Sequence, residues 1–324
     1  MQIQNKLFLA PMAGYSDIIF RKLCRRFGAE VTVSEMISVK ATVFRQKKTL
    51  KLAESDDEDR PYGIQLFGYE PDDFASAASF LYERFKPDFF DINCGCPVRK
   101  VIRQKSGSWL LNEPERITKI ISAIKKAVPD VFVSAKIRLG FDEKKNFIET
   151  SRAVEDGGAD FIIVHARTRP QLFKGPSDLE ALQKISSILK IPVVGNGGVC
   201  DKNTWKEMKD TGIAAVMIGT ASIGRPWIFS EISAYRDNKI WQEPSFEEKI
   251  KIFIEHIKKI CENIKDEERG TRISRCYAMQ YIKNILKGFP GVKDFLKKYH
   301  TLTNLKELYS FADEILLLYK RNVS

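Results

Sequence analysis

Ten consecutive residues carry the densest chemistry in this chain: Asp91-Ile92-Asn93-Cys94-Gly95-Cys96-Pro97-Val98-Arg99-Lys100. They place a thiol, an amide and two cations at the end of an apolar run. A thiol beside basic residues can serve as nucleophile, metal ligand, proton donor or redox centre. Cys94 and Cys96 form C-x-C with no second pair at zinc-like spacing, and His165, His256 and His300 are scattered, so a metal site is not expected. Cys94 reads as a strand-end filler. Cys24, Cys200, Cys261 and Cys276 read as small packing hydrophobes, and His256 and His300 as surface or packing residues.

The elements that must position this segment follow from periodicity. Apolar strands are expected at Leu7-Ala10, Val31-Ser34, Gly63-Phe67, Phe89-Asn93, Val131-Leu139, Phe161-His165, Ile191-Gly195 and Ala214-Ile218. Helical spacing falls between most of them, at Asp72-Phe85, Pro114-Val128, Asn146-Asp156 and Asp178-Leu189. Eight strands, each followed by a helix or long loop, favour a (β/α)8 TIM barrel over an open doubly wound sheet. From Ser245 onward the pattern is helical: Phe246-Lys265, Arg272-Lys287, Val292-Tyr299 and Asn304-Tyr319, with breaks at Gly270, Gly288-Phe-Pro-Gly291 and Thr301. The expected organisation is therefore a catalytic barrel over residues 1–235 and a smaller all-α domain over 236–324.

In such a barrel, functional side chains gather at the C-terminal ends of the strands. Ala10-Pro11-Met12-Ala13-Gly14, Gln65, Asn93, Cys96, Lys136, Arg138, His165, Asn196-Gly197-Gly198 and Gly219-Thr220 all fall in or after strand ends. Alternation puts Val131, Val133, Ala135 and Ile137 on one face of the fifth strand, with Ser134, Lys136 and Arg138 facing the barrel axis. A lysine buried there needs a partner: an anionic or electron-rich ligand, or an acid inside the barrel. Arg138, nearer the mouth, is placed to meet substrate. The glycine-rich turns at 195–198 and 219–222 follow the last two strands, where backbone N–H groups of many barrels hold a phosphate, so a phosphorylated cofactor is expected. Neither turn matches a P-loop or a dinucleotide fingerprint.

The chain of 324 residues has a formal charge of +11. Eight Lys/Arg lie between Arg269 and Lys298 against one acid, Asp294, and Arg99 to Lys105 adds four cations and no acid. Such clusters suit a polyanion such as nucleic acid, although a solvated lysine-rich surface gives the same count. No apolar run is long enough to span a bilayer and no signal segment opens the chain, so a cytoplasmic protein is expected.

These residues together resemble the tRNA-dihydrouridine synthases. The matching segments are Ala10-Pro-Met-Ala-Gly14 with Ser16-Asp17, Ser34-Glu-Met36, Gln65-Leu-Phe-Gly68 and Asp91-Ile-Asn-Cys-Gly-Cys-Pro-Val98. They continue in Lys136-Ile-Arg-Leu-Gly140, Val164-His-Ala-Arg-Thr-Arg169, Gly195-Asn-Gly-Gly198, Met217-Ile-Gly219 and Gly224-Arg-Pro-Trp-Ile-Phe229, with Lys287-Gly-Phe-Pro-Gly291 in the tail. The opening looks most like the bacterial B-type subgroup, which acts on the 17th nucleotide. Three departures stand out: Ala166 for a glycine, Gly198 for an aspartate and Thr220 for an arginine.

The resemblance implies FMN held by Pro11, Met12, Ala13, Gln65, Lys136, His165, Asn196, Gly197, Gly198, Gly219 and Thr220, with NADPH or NADH as reductant. It implies that Cys96 is the general acid, protonating uracil C5 as hydride reaches C6. Asn93, Arg99, Lys100, Arg138, Arg167, Arg272, Arg275, Lys283 and Lys287 become candidates for contact with uracil or the tRNA backbone, in a protein expected to act as a monomer. Two other readings stand beside it: a flavin barrel reducing a free pyrimidine or other small enone, and a non-flavin RNA-binding protein on the same barrel.

Overall fold

The structure is a computed structural model that describes residues 1–143, 145–264, 267–286, 297–299, 301–302 and 304–323. Among these the chain divides into two compact units, Met1–Gly219 and Thr220–Ser324.

The first unit is built on nine parallel strands: β1 (Leu7–Leu9), β2 (Thr32–Val33), β3 (Ile37–Ser38), β4 (Tyr62–Phe67), β5 (Phe89–Cys94), β6 (Phe132–Arg138), β7 (Phe161–His165), β8 (Val193–Asn196) and β9 (Ala215–Ile218). Their order is β1-β9-β8-β7-β6-β5-β4-β2, with β3 also on β4. First and last strands pair, Leu7 against Val216. A parallel bridge from Phe8 to Val31 brings β1 towards β2. The expected (β/α)8 barrel is therefore present, and the open sheet is excluded by that closure. The short β3 was not anticipated, because two residues give no period to read.

Pleating sends alternate residues of each strand inward, and the interior they fill has two levels. The lower level is apolar: Phe8, Phe89, Phe161, Ile163, Val194 and Met217 belong to one buried cluster. Phe161 tilts against Phe8 and meets Phe89 edge-on, with centroids 6.1 and 5.3 Å apart. Above it, towards the C-terminal rim, the same inward register brings Gln65, Asp91, Asn93, Ser134, Lys136, Arg138, His165 and Asn196. The floor is hydrophobic and the mouth is polar. Cys94 alternates outward and is buried.

The helices that cover the strands match the periodicity to within a residue or two: Pro71–Phe85, Pro114–Ala127, Phe147–Asp156 and Leu179–Ile188. Their inner faces follow the i, i+3, i+4 rule, as in Ile117, Ile120, Ile121 and Ile124.

The second unit contains the helices Ile228–Arg236, Phe246–Asn263, Glu267–Ile285 and Leu305–Val323. Ser245 and Glu248 close a capping box at the start of the second of these. Ile250, Phe253, His256, Ile257 and Ile260 form its buried stripe. His256 is a packing residue: Nδ1 lies 3.1 Å from the Tyr281 hydroxyl, and its ring sits edge-on to Tyr277.

Two expectations fail here. Gly270 does not break the helix, which runs from Glu267 to Ile285 through it. A mid-helix glycine costs only about 1 kcal/mol, and the buried Tyr277, Ala278 and Tyr281 offset that cost. Cys200 and Cys276 are not packing residues but exposed. Cys200 lies in the turn before the helix Lys202–Lys209, and Cys276 lies on the solvent side of a helix whose neighbours Tyr277 and Ala278 face inward. Lys287, residues 288–291, His300 and most of the expected helix 292–299 lie outside the described residues.

Candidate active site

Strand pairing brings the expected site residues of the barrel side by side. Asn93 is opposite Lys136, Arg138 opposite His165, and His165 opposite Asn196. From the interior upward, Ser134 Oγ donates to Asp91 Oδ1 at 2.7 Å, and Gln65 Nε2 donates to Asp91 Oδ2 at 2.7 Å. Gln65 Oε1 then accepts from Asn93 Nδ2 at 2.8 Å. Asn93 Oδ1 in turn accepts the backbone N–H groups of Gly95 and Cys96, at 3.1 and 2.9 Å. A continuous hydrogen-bonded path thus runs from the polar level of the barrel interior to the thiol-bearing loop.

That loop is held from two more directions. Arg138 is almost wholly buried; its Nε donates to Gly95 O at 2.9 Å and its Nη1 to Thr168 O and Leu172 O at 3.0 and 2.8 Å. Ser108 N–H donates to Cys96 O at 3.1 Å. Cys96 itself is half-buried, and burial is the largest influence on its thiol, raising the pKa above the ordinary value against smaller lowering effects from the Val98 amide and Arg138. It is a protonated thiol at neutral pH.

Lys136 Nζ donates to Asn196 Oδ1 at 2.9 Å, and Asn196 Nδ2 donates to Met217 O at 2.9 Å. Loss of water lowers the Lys136 pKa, Arg138 lowers it further, and the charge of Asp91 acts the other way. Burial likewise raises the Asp91 pKa, opposed by Gln65, Ser134 and Lys136. Asp91 is thus an acid inside the barrel, the alternative to a ligand as counter-charge for Lys136, whose ammonium itself bonds Asn196. His165 is held neutral by burial first and then by repulsion from Lys136, Arg138 and Arg167. Its Nε2 lies 3.3 Å from Arg167 Nη1. A guanidinium can only donate, so Nε2 accepts and the proton sits on Nδ1.

Arg167 anchors the next loop through Nε and Nη2, both donating to Gly175 O at 3.1 and 2.9 Å. Beside it, Gly197 and Gly198 turn with φ of +113° and +78°. Any Cβ at position 198 would lie 2.8 Å from Ser177 Oγ. That contact and the positive φ both favour glycine at this position. Ala166 is buried, and its N–H donates to Asn196 O at 2.9 Å, a backbone link independent of its methyl group.

The remaining expected residues are placed as follows. Pro11 and Met12 are half-buried and Ala13 exposed, in a turn tied by Met12 N–H donating to Ser16 Oγ at 2.8 Å. A Cβ at Gly219 would sit 3.7 Å from Met12 Sδ, so those two positions adjoin. Thr220 is exposed, as are Arg99 and Lys100 on the short helix Arg99–Ile102. In the second unit Arg272 and Lys283 are exposed and Arg275 is half-buried, all on the helix Glu267–Ile285. Two residues that sequence reasoning left without a role join the site. One is Asp91. The other is Ser177, whose hydroxyl oxygen is buried with no hydrogen-bond partner among the described residues. Only the polarity of Asp91 on an inward register position could have flagged the first; nothing local flags the second.

Among the described residues no helix is long and apolar enough to cross a membrane. The model of the dihydrouridine synthase (Dus) family matches residues 8–316. A protein of Pasteurella multocida named tRNA-dihydrouridine synthase B is 34% identical over 330 residues, covering 99% of this chain and 97% of that protein. Its namesake in Pectobacterium carotovorum is 37% identical over 285 residues, 87% of this chain and 88% of that protein. A probable tRNA-dihydrouridine synthase of Aquifex aeolicus is 33% identical, covering 96% of each chain. The old yellow enzyme homologue from Zymomonas mobilis shares the fold, with a TM-score of 0.52 at 12% identity over 76% of this chain and 92% of that one. Near-full-length similarity and the family match at residues 8–316 agree with the barrel and its thiol loop: the chain belongs to the dihydrouridine synthase family.

Proposed function

We propose that this protein reduces the C5=C6 bond of a D-loop uridine in tRNA to 5,6-dihydrouridine, with FMN as redox group and NADPH or NADH as reductant. The observation that carries the reading is Cys96, a thiol kept protonated by burial on a loop clamped at the barrel mouth. A general acid must hold its proton at working pH and release it in the transition state.

The residues present fit FMN. The Gly197–Gly198 turn presents bare backbone beside Arg167 and the Ser177 hydroxyl, which has no hydrogen-bond partner among the described residues, and this suits a phosphate. Lys136, Gln65 and His165 Nδ1–H offer donors to the electron-rich ring system, and Pro11, Met12, Ala13, Asn196, Gly219 and Thr220 complete the expected binding surface. Bound there and reduced by NADPH or NADH, FMN would supply the hydride for uracil C6. Cys96 gives its proton to C5, and solvent restores the thiol. Asn93 and Arg138 bond the loop directly; Arg138 acts chiefly by holding the carbonyls of Gly95, Thr168 and Leu172.

The uridine must leave its stack to reach this mouth, as in other enzymes that act on a base. Arg99 and Lys100 on the barrel unit, and Arg272, Arg275 and Lys283 on the helical unit, are exposed or half-buried cations for the backbone, with Lys287 proposed beside them; Arg167, expected there too, is buried and bonded to Gly175 O instead. The family's B-type members point to the 17th nucleotide as the target.

Incubation with NADPH and tRNA lacking dihydrouridine should add two hydrogens to one D-loop uridine, read by nuclease mapping and mass spectrometry. Free uridine should remain unchanged. Binding of tRNA should weaken steeply between about 50 and 200 mM salt, by about 10³-fold or more for six phosphate contacts. Replacing Lys283 with glutamine should weaken binding and reduce the salt slope by about 1. Salt-independent binding, or reduction of free uridine at the rate seen with tRNA, would favour the small-molecule reductase instead.

A further inference from the structure

We propose that Asp91 is a positioning residue for the Cys96 thiol: its carboxylate sets the direction of the Gln65 and Asn93 side-chain amides, so that Asn93 offers an oxygen to the Gly95 and Cys96 backbone. The inference rests on the reading of Cys96 as proton donor.

An ionised carboxylate can only accept hydrogen bonds. Both oxygens of Asp91 are occupied, one by Ser134 Oγ at 2.7 Å and the other by Gln65 Nε2 at 2.7 Å. With Nε2 committed to Asp91, Gln65 has only Oε1 to turn to Asn93, and it meets Nδ2 at 2.8 Å. Asn93 is then left with Oδ1 towards the loop, where two backbone N–H groups need an acceptor, at 3.1 and 2.9 Å. A flip of either amide would set donor against donor at one contact and acceptor against acceptor at another. Each buried polar group left unmatched is costly. An amide can sit either way round in the same space, whereas the carboxylate has no second orientation. Asp91 is therefore the side chain that fixes the polarity at the inner end of the path, as the Gly95 and Cys96 N–H groups fix it at the loop, and Lys136 is the cation whose attraction opposes burial and favours its ionised form.

The consequence reaches the thiol through its backbone. The Cys96 N–H is held by Asn93, its carbonyl by Ser108 N–H at 3.1 Å, and the preceding carbonyl by Arg138 at 2.9 Å. The N–H tether is the one the amide polarity controls. Its loss frees the loop while leaving the barrel wall intact.

Asp91→Asn tests this. An amide at position 91 can donate as well as accept, so the Gln65 and Asn93 amides lose the constraint at the inner end and only the loop N–H groups still hold their direction. In the FMN-loaded protein, the tRNA dissociation constant should stay within about twofold of wild type, and flavin reduction by NADPH should change less than reoxidation by tRNA. Reoxidation of the reduced flavin by tRNA should fall about 10–100-fold, the scale of a misplaced reacting group. Site-resolved alkylation by iodoacetamide, without tRNA, should change at Cys96 and not at the exposed Cys200 or Cys276. The variant Gln65→Glu combined with Asp91→Asn moves the carboxylate one step along the path: the amide at position 91 donates to the carboxylate at position 65, which accepts from Asn93. Compared at equal FMN content, since Gln65 also belongs to the proposed flavin surface, it should restore Cys96 alkylation and recover about tenfold or more of the lost reoxidation rate.

Reoxidation of Asp91→Asn within about threefold of wild type, or a double variant no better than the single one, would overturn the assignment. If Asp91→Asn does not fold, the double variant decides: folded protein with wild-type Cys96 alkylation supports the path, and a misfolded one counts against it. Normal turnover by Cys96→Ala would remove the proton-donor reading but leave the alkylation result to judge the positioning.

Discussion

Cys96→Ala is expected to lose turnover with tRNA by about 10²–10⁴-fold, the usual contribution of a positioned general acid, while flavin reduction by NADPH continues. The split between half-reactions follows from where the thiol acts. Reduction of the cofactor needs no proton at uracil C5; reoxidation by uridine does. The environment of the thiol adds a pH signature. Burial raises its pKa above the ordinary thiol value of about 8.5, so Cys96 stays protonated through neutrality. Reoxidation by tRNA should be level across neutral pH and decline only as pH rises through the raised value. Anaerobic stopped-flow on both half-reactions checks each point. Equal loss in both halves would show that the alanine had disturbed flavin binding instead.

Asp59→Ala is expected to destabilise the protein by about 3–5 kcal/mol, because it strands a buried charge. Arg21 and Asp59 pair at 2.8 Å with side chains 1% and 0% exposed. The carboxylate also accepts from Thr32 Oγ1 at 2.7 Å and Ser55 Oγ at 2.9 Å. The guanidinium donates to Ser16 O and Glu54 O at 2.9 and 2.6 Å and lies 4.7 Å from the Tyr62 ring centre. Removing one partner leaves Arg21 charged, dry and without its acceptor. Thermal unfolding should drop by about 6–10 °C, at roughly 2 °C per kcal/mol for a chain of this size. Because Ser16 Oγ also ties Met12, the Pro11–Ser16 turn should loosen and the protein should retain less flavin. Replacing both partners with leucine should recover much of the stability, since a packed apolar pair needs no desolvation of charge. A double variant as unstable as Asp59→Ala would show that the ion pair is not the cause.

What could be read before the structure follows a physical boundary. The inward face of β6 was legible because pleating has a fixed period, so Ser134, Lys136 and Arg138 point where alternation puts them. Their partners were not legible, since those come from other strands and from loops. Arg138 is spaced as a substrate residue, yet its donors reach Thr168 and Leu172 in a loop shaped by a positive φ at Leu172. No local pattern encodes that approach. Gly198 likewise looked like a simple departure until Ser177 proved to occupy the space its side chain would take. Gly270 misled in the opposite direction, because local propensity is a weaker force than the burial of a helix face. Asp91 was visible within the thiol motif, but its role needs the register of β4, β5 and β6 together.

The central claim, proton donation by the Cys96 loop to a uridine presented by tRNA, is tested most directly by one measurement. The FMN-loaded protein is reduced anaerobically with NADPH, and flavin reoxidation is followed on adding tRNA that lacks dihydrouridine, with free uridine in parallel. The expected result is rapid reoxidation by tRNA, formation of dihydrouridine in matching amount, and no comparable reaction with free uridine. A reduced flavin that ignores tRNA, or that reacts as fast with free uridine, would contradict it.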